Sequence, residues 1–79
     1  MRLLLVNPNT NARTTAAMAG IARAAAPPGV TIDGATAASG APLILDPAML
    51  ATAAAAVQAL IAETDLAGYA GIIVAAFGD

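Results

Sequence analysis

Residues 3–10, LLLVNPNT, join a continuous apolar run to a polar turn. Leu3 to Val6 are all apolar, which is typical of a parallel strand that is buried on both faces. Asn7 and Pro8 end the run, because both residue types favour turns. The stretch therefore predicts a buried first strand whose carboxyl end leads directly into an asparagine-rich turn.

A helix is predicted to follow this turn. Either Thr10 or Asn11 is suitable as its N-cap, and Pro27 marks its end. Its buried face is predicted from apolar residues at i, i+3, i+4 and i+7, namely Met18, Ile21, Ala22 and Ala25.

The next segment predicts a second strand and a loop. Residues 30–33 alternate between apolar and polar side chains, which indicates a strand at a sheet edge, with Asp33 as a solvated residue. Residues 37–45 contain too much Gly and Pro for a regular element and are predicted to form a loop.

The last part of the chain predicts a second helix and a third strand. Asp46 supplies an N-cap and Pro47 suits the first helical position. The buried stripe of this helix is predicted from its apolar spacing to be Leu50, Ala54, Val57 and Ile61. Residues 71–76 are continuously apolar and predict a further strand that is buried on both faces.

Strands and helices thus alternate as βαβαβ, which predicts an α/β fold with a parallel sheet and right-handed crossovers. A flavodoxin-like strand order of 2-1-3 would place a ligand crevice between the ends of the first and third strands. Asn7, Asn9 and Thr10 would face this crevice, together with residues 75–79 and the positive end of the first helix dipole. An anionic or carbonyl-rich small molecule would suit these groups, but the same residue types also serve as plain turn and cap residues.

Composition narrows the classes of function. The chain has 79 residues, three basic and five acidic side chains and a net charge of −2, which argues against a nucleic-acid partner. Cysteine and histidine are absent, so thiol and imidazole chemistry and their metal sites are excluded. No apolar stretch approaches the roughly 20 residues of a membrane helix, and we expect a cytoplasmic protein that binds no membrane.

Three segments in order resemble the N-terminal half of the Asp/Glu/hydantoin racemases. They are residues 3–10, LLLVNPNT, residues 40–44, GAPLI, and residues 72–79, IIVAAFGD. The resemblance implies a cofactor-free enzyme of two similar α/β lobes, with the active site between them and one cysteine from each lobe. It also implies a small-molecule substrate, an amino acid or a hydantoin-like compound, with one thiolate removing the α-proton while the other thiol returns a proton to the opposite face.

Carried over position by position, the resemblance assigns the first cysteine to the place of Ala76. It assigns substrate binding to the turn, the loop and the residues after the third strand, namely Asn7, Asn9, Thr10, Ile44, Phe77 and Gly78. For residues 40–44 a role in the loop conformation alone is an equal alternative.

An alanine at position 76 has no transferable proton, so the resemblance predicts that this chain is inactive as a two-base racemase. Ala76 fits a Cys→Ala change in an intact racemase, a branch that kept the fold as a non-catalytic small-molecule binding module, or an incomplete fragment. We interpret residues 1–79 as an incomplete N-terminal lobe that lacks its second lobe and can form homo-oligomers. Its third strand would then be an open hydrophobic edge.

Overall fold

The computed structural model describes residues 1–40 and 44–75. Its elements are β1 (Arg2–Asn7), α1 (Ala12–Ala25), β2 (Thr31–Thr36), α2 (Pro47–Glu63) and β3 (Tyr69–Val74). The three strands are parallel and lie in the order β2-β1-β3. The predicted α/β fold and its strand order are confirmed.

The third strand begins and ends earlier than the sequence pattern predicts. Gly68 has a φ of +88°, which suits a glycine, and Tyr69 N donates to Leu66 O at 3.1 Å. This turn directs the chain into the sheet at Tyr69, two residues before the apolar run. The predicted last residue of the strand, Ala76, lies outside the described residues.

Both helices begin at predicted caps. Asn11, rather than Thr10, caps α1, and its side chain accepts hydrogen bonds from Arg13 N and Thr14 N. Asp46 caps α2 by accepting from Met49 N at 2.8 Å, with Pro47 at the start of the helix. Each cap satisfies backbone donors that the first helical turn cannot pair internally.

The main apolar core lies between the sheet and α2. Leu4 and Val6 of β1 pack against Val57 of α2, and all three side chains are buried. Within α2, Ala53 and Ala56 are also buried, while Ala54 and Ile61 of the predicted stripe are half-buried. The predicted stripe is thus correct at its centre, and the buried face is rotated toward Ala53 and Ala56.

The predicted buried face of α1 is wrong. Ile21 is 72% exposed and Ala25 is exposed, whereas the buried residues of α1 are Thr15 and Ala19. The helix faces Gly34 of β2, where a Cβ atom would lie 3.0 Å from Thr15 Cγ2 and 3.7 Å from the Ala19 Cβ. Because helix and strand approach through small residues, Ile21 stays exposed and Met18 is only half-buried.

The prediction that the third strand is buried on both faces is also wrong in the part of the chain described here. Ile72, Ile73 and Val74 are 38%, 41% and 41% exposed. β3 lies at the edge of the sheet, so only β1 covers it laterally. The apolar run is typical of an interior strand, but among the described strands β3 is paired on one side only, with β1.

Candidate functional site

The carboxyl ends of the three strands meet around the first turn. Ala37, just after β2, donates its N–H to Asn7 O at 3.0 Å. Ala75, just after β3, donates its N–H to Val6 O at 3.0 Å. Val6, Asn7 and Ala75 therefore lie together at the strand ends where the crevice was predicted, and Ala75 immediately precedes Ala76 in the sequence.

Asn7 organises this turn from inside the protein. Its side chain is fully buried, and Nδ2 lies 2.9 Å from Asn9 Oδ1, 3.1 Å from Asn11 O and 3.0 Å from Thr15 Oγ1. Its Oδ1 accepts from Asn9 N at 3.1 Å. Because the amide is fully occupied by these contacts, Asn7 shapes the turn, and direct contact with a ligand stays an untested prediction.

Asn9 is held by the same network through its side-chain oxygen, while its side-chain nitrogen, Nδ2, makes no hydrogen bond among the described residues. The residue is 4% exposed, and its Oδ1 accepts from Asn7 Nδ2 and from Asn11 N at 2.9 Å. Within residues 1–40 and 44–75, Asn9 Nδ2 donates no hydrogen bond, and the hydroxyl of the half-buried Thr10 makes none either. These two groups are the side-chain donors of the turn that remain for a bound molecule.

The start of α1 offers fewer donors than the sequence predicts. The Asn11 side chain already accepts from Arg13 N and Thr14 N, and Thr15 N donates to Asn11 O at 3.2 Å. The N–H groups of Arg13, Thr14 and Thr15 are therefore not free donors. The positive end of the helix dipole still lies beside the turn.

Two residues of the network were not predicted from the sequence. Thr15 Oγ1 accepts from Asn7 Nδ2 and lies 2.7 Å from Thr36 Oγ1 at the end of β2. Thr15 follows the cap residue Asn11 by four positions, so its side chain lies over the cap. The four-residue spacing from Asn11 could have predicted the position of the Thr15 side chain. No sequence feature near Thr36 indicates that its partner is Thr15.

The loop before α2 is described only in part. Gly40 has a φ of +118°, and Ile44 is buried. A cleft of about 290 Å³ lies beside this loop and is lined by Gly40, Asp46, Ala48, Met49 and Thr52. Pro42, like Ala76, Phe77, Gly78 and Asp79, lies outside the described residues, so these predictions stay untested.

The side chain of Asp33 is far from the crevice. Its Oδ2 lies 2.6 Å from both Arg2 Nη2 and the Tyr69 hydroxyl, and the Arg2 guanidinium lies 4.5 Å from the centre of the Tyr69 ring. The Tyr69 hydrogen bond, followed by that from Arg2, lowers the pKa of Asp33 below its ordinary value. Arg2 starts β1 and Asn7 ends it, a separation of roughly 16 Å at about 3.3 Å per residue.

This cluster joins all three strands at the amino end of the sheet. Asp33 was predicted to be solvated, and its side chain is indeed 40% exposed, but it is ion-paired. Among residues 1–40 and 44–75, no group of three acidic side chains that could hold a metal ion is present. Nor does that part of the chain contain a helix long and apolar enough to cross a membrane.

Comparison with known proteins links this geometry to one family. The sequence model of the Asp/Glu/Hydantoin racemases matches residues 3–79. The crystal structure of allantoin racemase from Pseudomonas fluorescens matches with a TM-score of 0.88 and 36% sequence identity. The match covers 94% of this chain but only 31% of the allantoin racemase chain. Curated protein sequences give no significant match.

Proposed function

Because this chain belongs to the Asp/Glu/hydantoin racemase family, we propose that it is one lobe of a cofactor-independent racemase, in which Ala76 occupies the place of the first catalytic cysteine. The reaction is proton exchange at the α-carbon of an amino acid or a hydantoin-like compound. The chain as it stands, without that thiol, is inactive in two-base racemisation.

One observation carries the proposal. Ala75 N donates to Val6 O at 3.0 Å, so the backbone just before Ala76 lies beside the turn that holds Asn9 and Thr10. A proton-transferring group at position 76 would thus belong to the same end of the sheet as two side-chain donors, Asn9 Nδ2 and the Thr10 hydroxyl. A general base must come within about 3 Å, between heavy atoms, of the group whose proton it removes, so the base and the donors have to lie at the same end of the sheet.

The donors suit the charge that such a reaction creates. Removing the α-proton places negative charge on the adjacent carbonyl or carboxylate oxygen. Asn9 Nδ2, the Thr10 hydroxyl and the positive end of α1 can stabilise that charge. Asn7 and Thr15 hold the turn in place, so its donors need little reorganisation.

Inversion of a stereocentre also requires a second acid/base group on the other face of the α-carbon. In the proposed mechanism a second lobe provides this group, because the chain contains no cysteine or histidine and the Asp33 carboxylate is bonded to Arg2, at the other end of β1 from the turn. A thiol suits either role. Its ordinary pKa of about 8.5 is lowered when the thiol lies beside a helix N-terminus or hydrogen-bond donors. With a single thiol, we expect proton exchange without inversion.

The experiment is Ala76→Cys in the 79-residue chain. Each enantiomer of allantoin, a 5-substituted hydantoin, aspartate and glutamate is incubated in D₂O, and loss of the α-proton signal is followed by NMR. Allantoin is the first choice because of the solved neighbour. The expected result is faster exchange of one enantiomer only, with its configuration retained.

Ala75→Cys is the matched control, because successive residues of an extended chain point to opposite sides. The unsubstituted chain measures spontaneous exchange. Equal acceleration of both enantiomers, or equal activity of the two cysteine variants, would contradict the proposed position. Binding of a compound with no exchange in Ala76→Cys would favour the second candidate, a non-catalytic binding module, which the missing thiol at position 76 supports.

A further inference from the structure

The hydroxyl groups of Thr15 and Thr36 share one hydrogen bond but carry two hydrogens. Their oxygens lie 2.7 Å apart, so one hydroxyl donates to the other. The hydroxyl that accepts keeps its own hydrogen for another partner. The donors and acceptors around Thr15 decide which of the two this is.

The Thr15 hydroxyl accepts from one side and has two acceptors within reach on the other. Asn9 N–H donates to the Asn7 oxygen at 3.1 Å, which fixes the orientation of the Asn7 amide. The nitrogen of that amide, Nδ2, therefore donates to Thr15 Oγ1 at 3.0 Å. The two acceptors for the single Thr15 hydroxyl hydrogen are Thr36 Oγ1 at 2.7 Å and Asn11 O at 3.4 Å.

The Asn11 carbonyl is the weaker of these two acceptors. A distance of 3.4 Å exceeds the usual O–H···O range of about 2.5–3.0 Å, whereas the distance to Thr36 lies within it. Asn11 O also accepts from Thr15 N at 3.2 Å and lies 3.1 Å from Asn7 Nδ2, so both of its lone pairs have donors. Thr15 therefore donates to Thr36, and a chain of hydrogen bonds runs outward from the buried Asn7 amide to Thr36.

Thr36 ends this chain with a hydrogen of its own. Within residues 1–40 and 44–75, its hydroxyl has no hydrogen-bond partner other than Thr15. Thr36 is half-buried and is the register partner of Asn7, and Ala37 N donates to Asn7 O at 3.0 Å. Because neighbouring strands lie about 4.7–4.9 Å apart, a molecule that contacts the turn after β1 can also reach the end of β2.

We propose that the Thr36 hydroxyl is a further substrate-binding donor of this site and that it donates to a carbonyl oxygen of the substrate. This role rests on the proposed function, because it adds a residue to the same site. Asn9 Nδ2 and the hydroxyls of Thr10 and Thr36 are all uncharged donors, which suits the carbonyl groups of a neutral ring. Donation from Thr15 polarises the Thr36 hydroxyl, because hydrogen bonds in a chain strengthen one another.

The test uses hydantoin itself as the probe, because it is a neutral ring with two carbonyl groups and no stereocentre. Its dissociation constant for the 79-residue chain is measured from the shifts of backbone amide signals in NMR titrations. Thr36→Val is expected to raise the dissociation constant about 2- to 10-fold, the usual net effect of one hydrogen bond. Thr36→Ser keeps a hydroxyl and is expected to bind like the unsubstituted chain. Thr31→Val is the matched control, because the Thr31 hydroxyl lies at the amino end of β2, 3.3 Å from Met1 O.

The hydroxyl protons provide a second measurement that needs no substitution. In the free chain, the Thr15 hydroxyl proton should exchange slowly with water, because Thr15 is buried and donates to Thr36. The Thr36 hydroxyl proton should exchange rapidly and become protected only when hydantoin is bound. A protected Thr36 proton in the free chain would mean that Thr36 donates to Thr15, which would overturn the proposal.

Failure of this role is distinguishable from failure of the proposed function. If Ala76→Cys shows no proton exchange but Thr36→Val weakens hydantoin binding, the racemase proposal fails and Thr36 remains a binding residue. Equal dissociation constants for Thr36→Val and Thr31→Val would overturn the role of Thr36, whether or not Ala76→Cys exchanges protons. A chain that does not bind hydantoin at all would overturn it as well.

Discussion

The hydroxyl oxygens of Thr15 and Thr36 lie 2.7 Å apart and join the first turn of α1 to the end of β2. Thr15 also accepts from the buried amide of Asn7 at 3.0 Å. One hydroxyl thereby connects the helix, the end of β2 and the turn that follows β1. This network fixes Asn9 and Thr10 relative to the strand ends.

Thr15→Val tests the contribution of this hydroxyl to stability. The substitution keeps the side-chain shape but removes one acceptor of the Asn7 amide and the partner of the half-buried Thr36 hydroxyl. Asn7 Nδ2 keeps its contacts with Asn9 Oδ1 and Asn11 O, so we expect a loss of about 0.5–1.5 kcal/mol in the free energy of unfolding, the usual net contribution of a hydrogen bond. The measurement is urea denaturation followed by circular dichroism.

Thr52→Val is the matched control for this loss. Thr52 also lies in a helix and bonds the carbonyl four residues earlier, Ala48 O at 3.1 Å, but it is exposed. Its replacement should change the free energy of unfolding by less than about 0.5 kcal/mol. Similar losses in both variants would mean that the Thr15 network contributes little.

Gly34→Ala tests the close packing that brings Thr15 to this position. A Cβ at Gly34 would lie 3.0 Å from Thr15 Cγ2, so either the helix or the side chain must move. We expect destabilisation by about 1–3 kcal/mol, as is usual for overpacking. Gly20→Ala is the control, because a Cβ added there, in the interior of α1, meets nothing within 4 Å beyond the backbone of its own helical turns.

In Gly20→Ala the better helix propensity of alanine should instead stabilise the chain, by about 0.5–1 kcal/mol. The two glycine variants are therefore expected to shift the urea midpoint in opposite directions. Equal shifts in one direction would show that the contact between Gly34 and Thr15 is not tight.

The fold was predictable because its signals are local. The apolar runs of β1 and β3 and the cap residues Asn11 and Asp46 each indicate an element within a few residues. The buried face of α1 was not predictable from apolar spacing, because that helix packs through Thr15 and Ala19 against Gly34. Small residues carry no hydrophobic signal, although they allow the closest approach.

For the candidate site, the sequence predicted which strand ends lie together but not how the turn between them is built. The strand order places the turn after β1 beside the end of β3, and Ala75 does bond to Val6 there. Which residues of the turn are enclosed by the hydrogen-bond network, and which keep free donors, depends on contacts distant in sequence, such as that of Thr15 with Thr36. For this reason the sequence grouped Asn7 with Asn9, although Asn7 is fully enclosed.

The Arg2, Asp33 and Tyr69 cluster predicts a stability that depends on pH. The hydrogen bond from Tyr69 and the ion pair with Arg2 lower the pKa of Asp33 in the folded chain. The cluster should therefore stabilise the fold fully above about pH 4, the ordinary range of aspartate, and lose this effect as the pH falls through the lowered value. The measurement compares thermal midpoints of the unsubstituted chain and Asp33→Asn from pH 2 to pH 8.

We expect the midpoint difference to be present at neutral pH and to vanish at the acid end. Salt should reduce it, because Arg2 and Asp33 are partly exposed. Asp65→Asn is the control, since that exposed carboxylate has no ion pair among the described residues. A difference that persists at pH 2 would indicate a steric effect of the asparagine.

Thr10→Val tests the proposed site without disturbing the hydrogen-bond network of Asn7 and Thr15 that holds the turn. Within residues 1–40 and 44–75 the Thr10 hydroxyl makes no hydrogen bond, so its removal should leave the urea midpoint unchanged. In the Ala76→Cys background, loss of one donor to the developing charge should slow the enantiomer-specific exchange by about 2- to 10-fold, equivalent to roughly 0.5–1.5 kcal/mol. Thr14→Val is the control, because Thr14 lies in the first turn of α1 and is half-buried like Thr10. If both variants exchange at the same rate, the Thr10 hydroxyl does not face the reacting molecule, and Asn9 Nδ2 becomes the remaining side-chain donor of the turn to test.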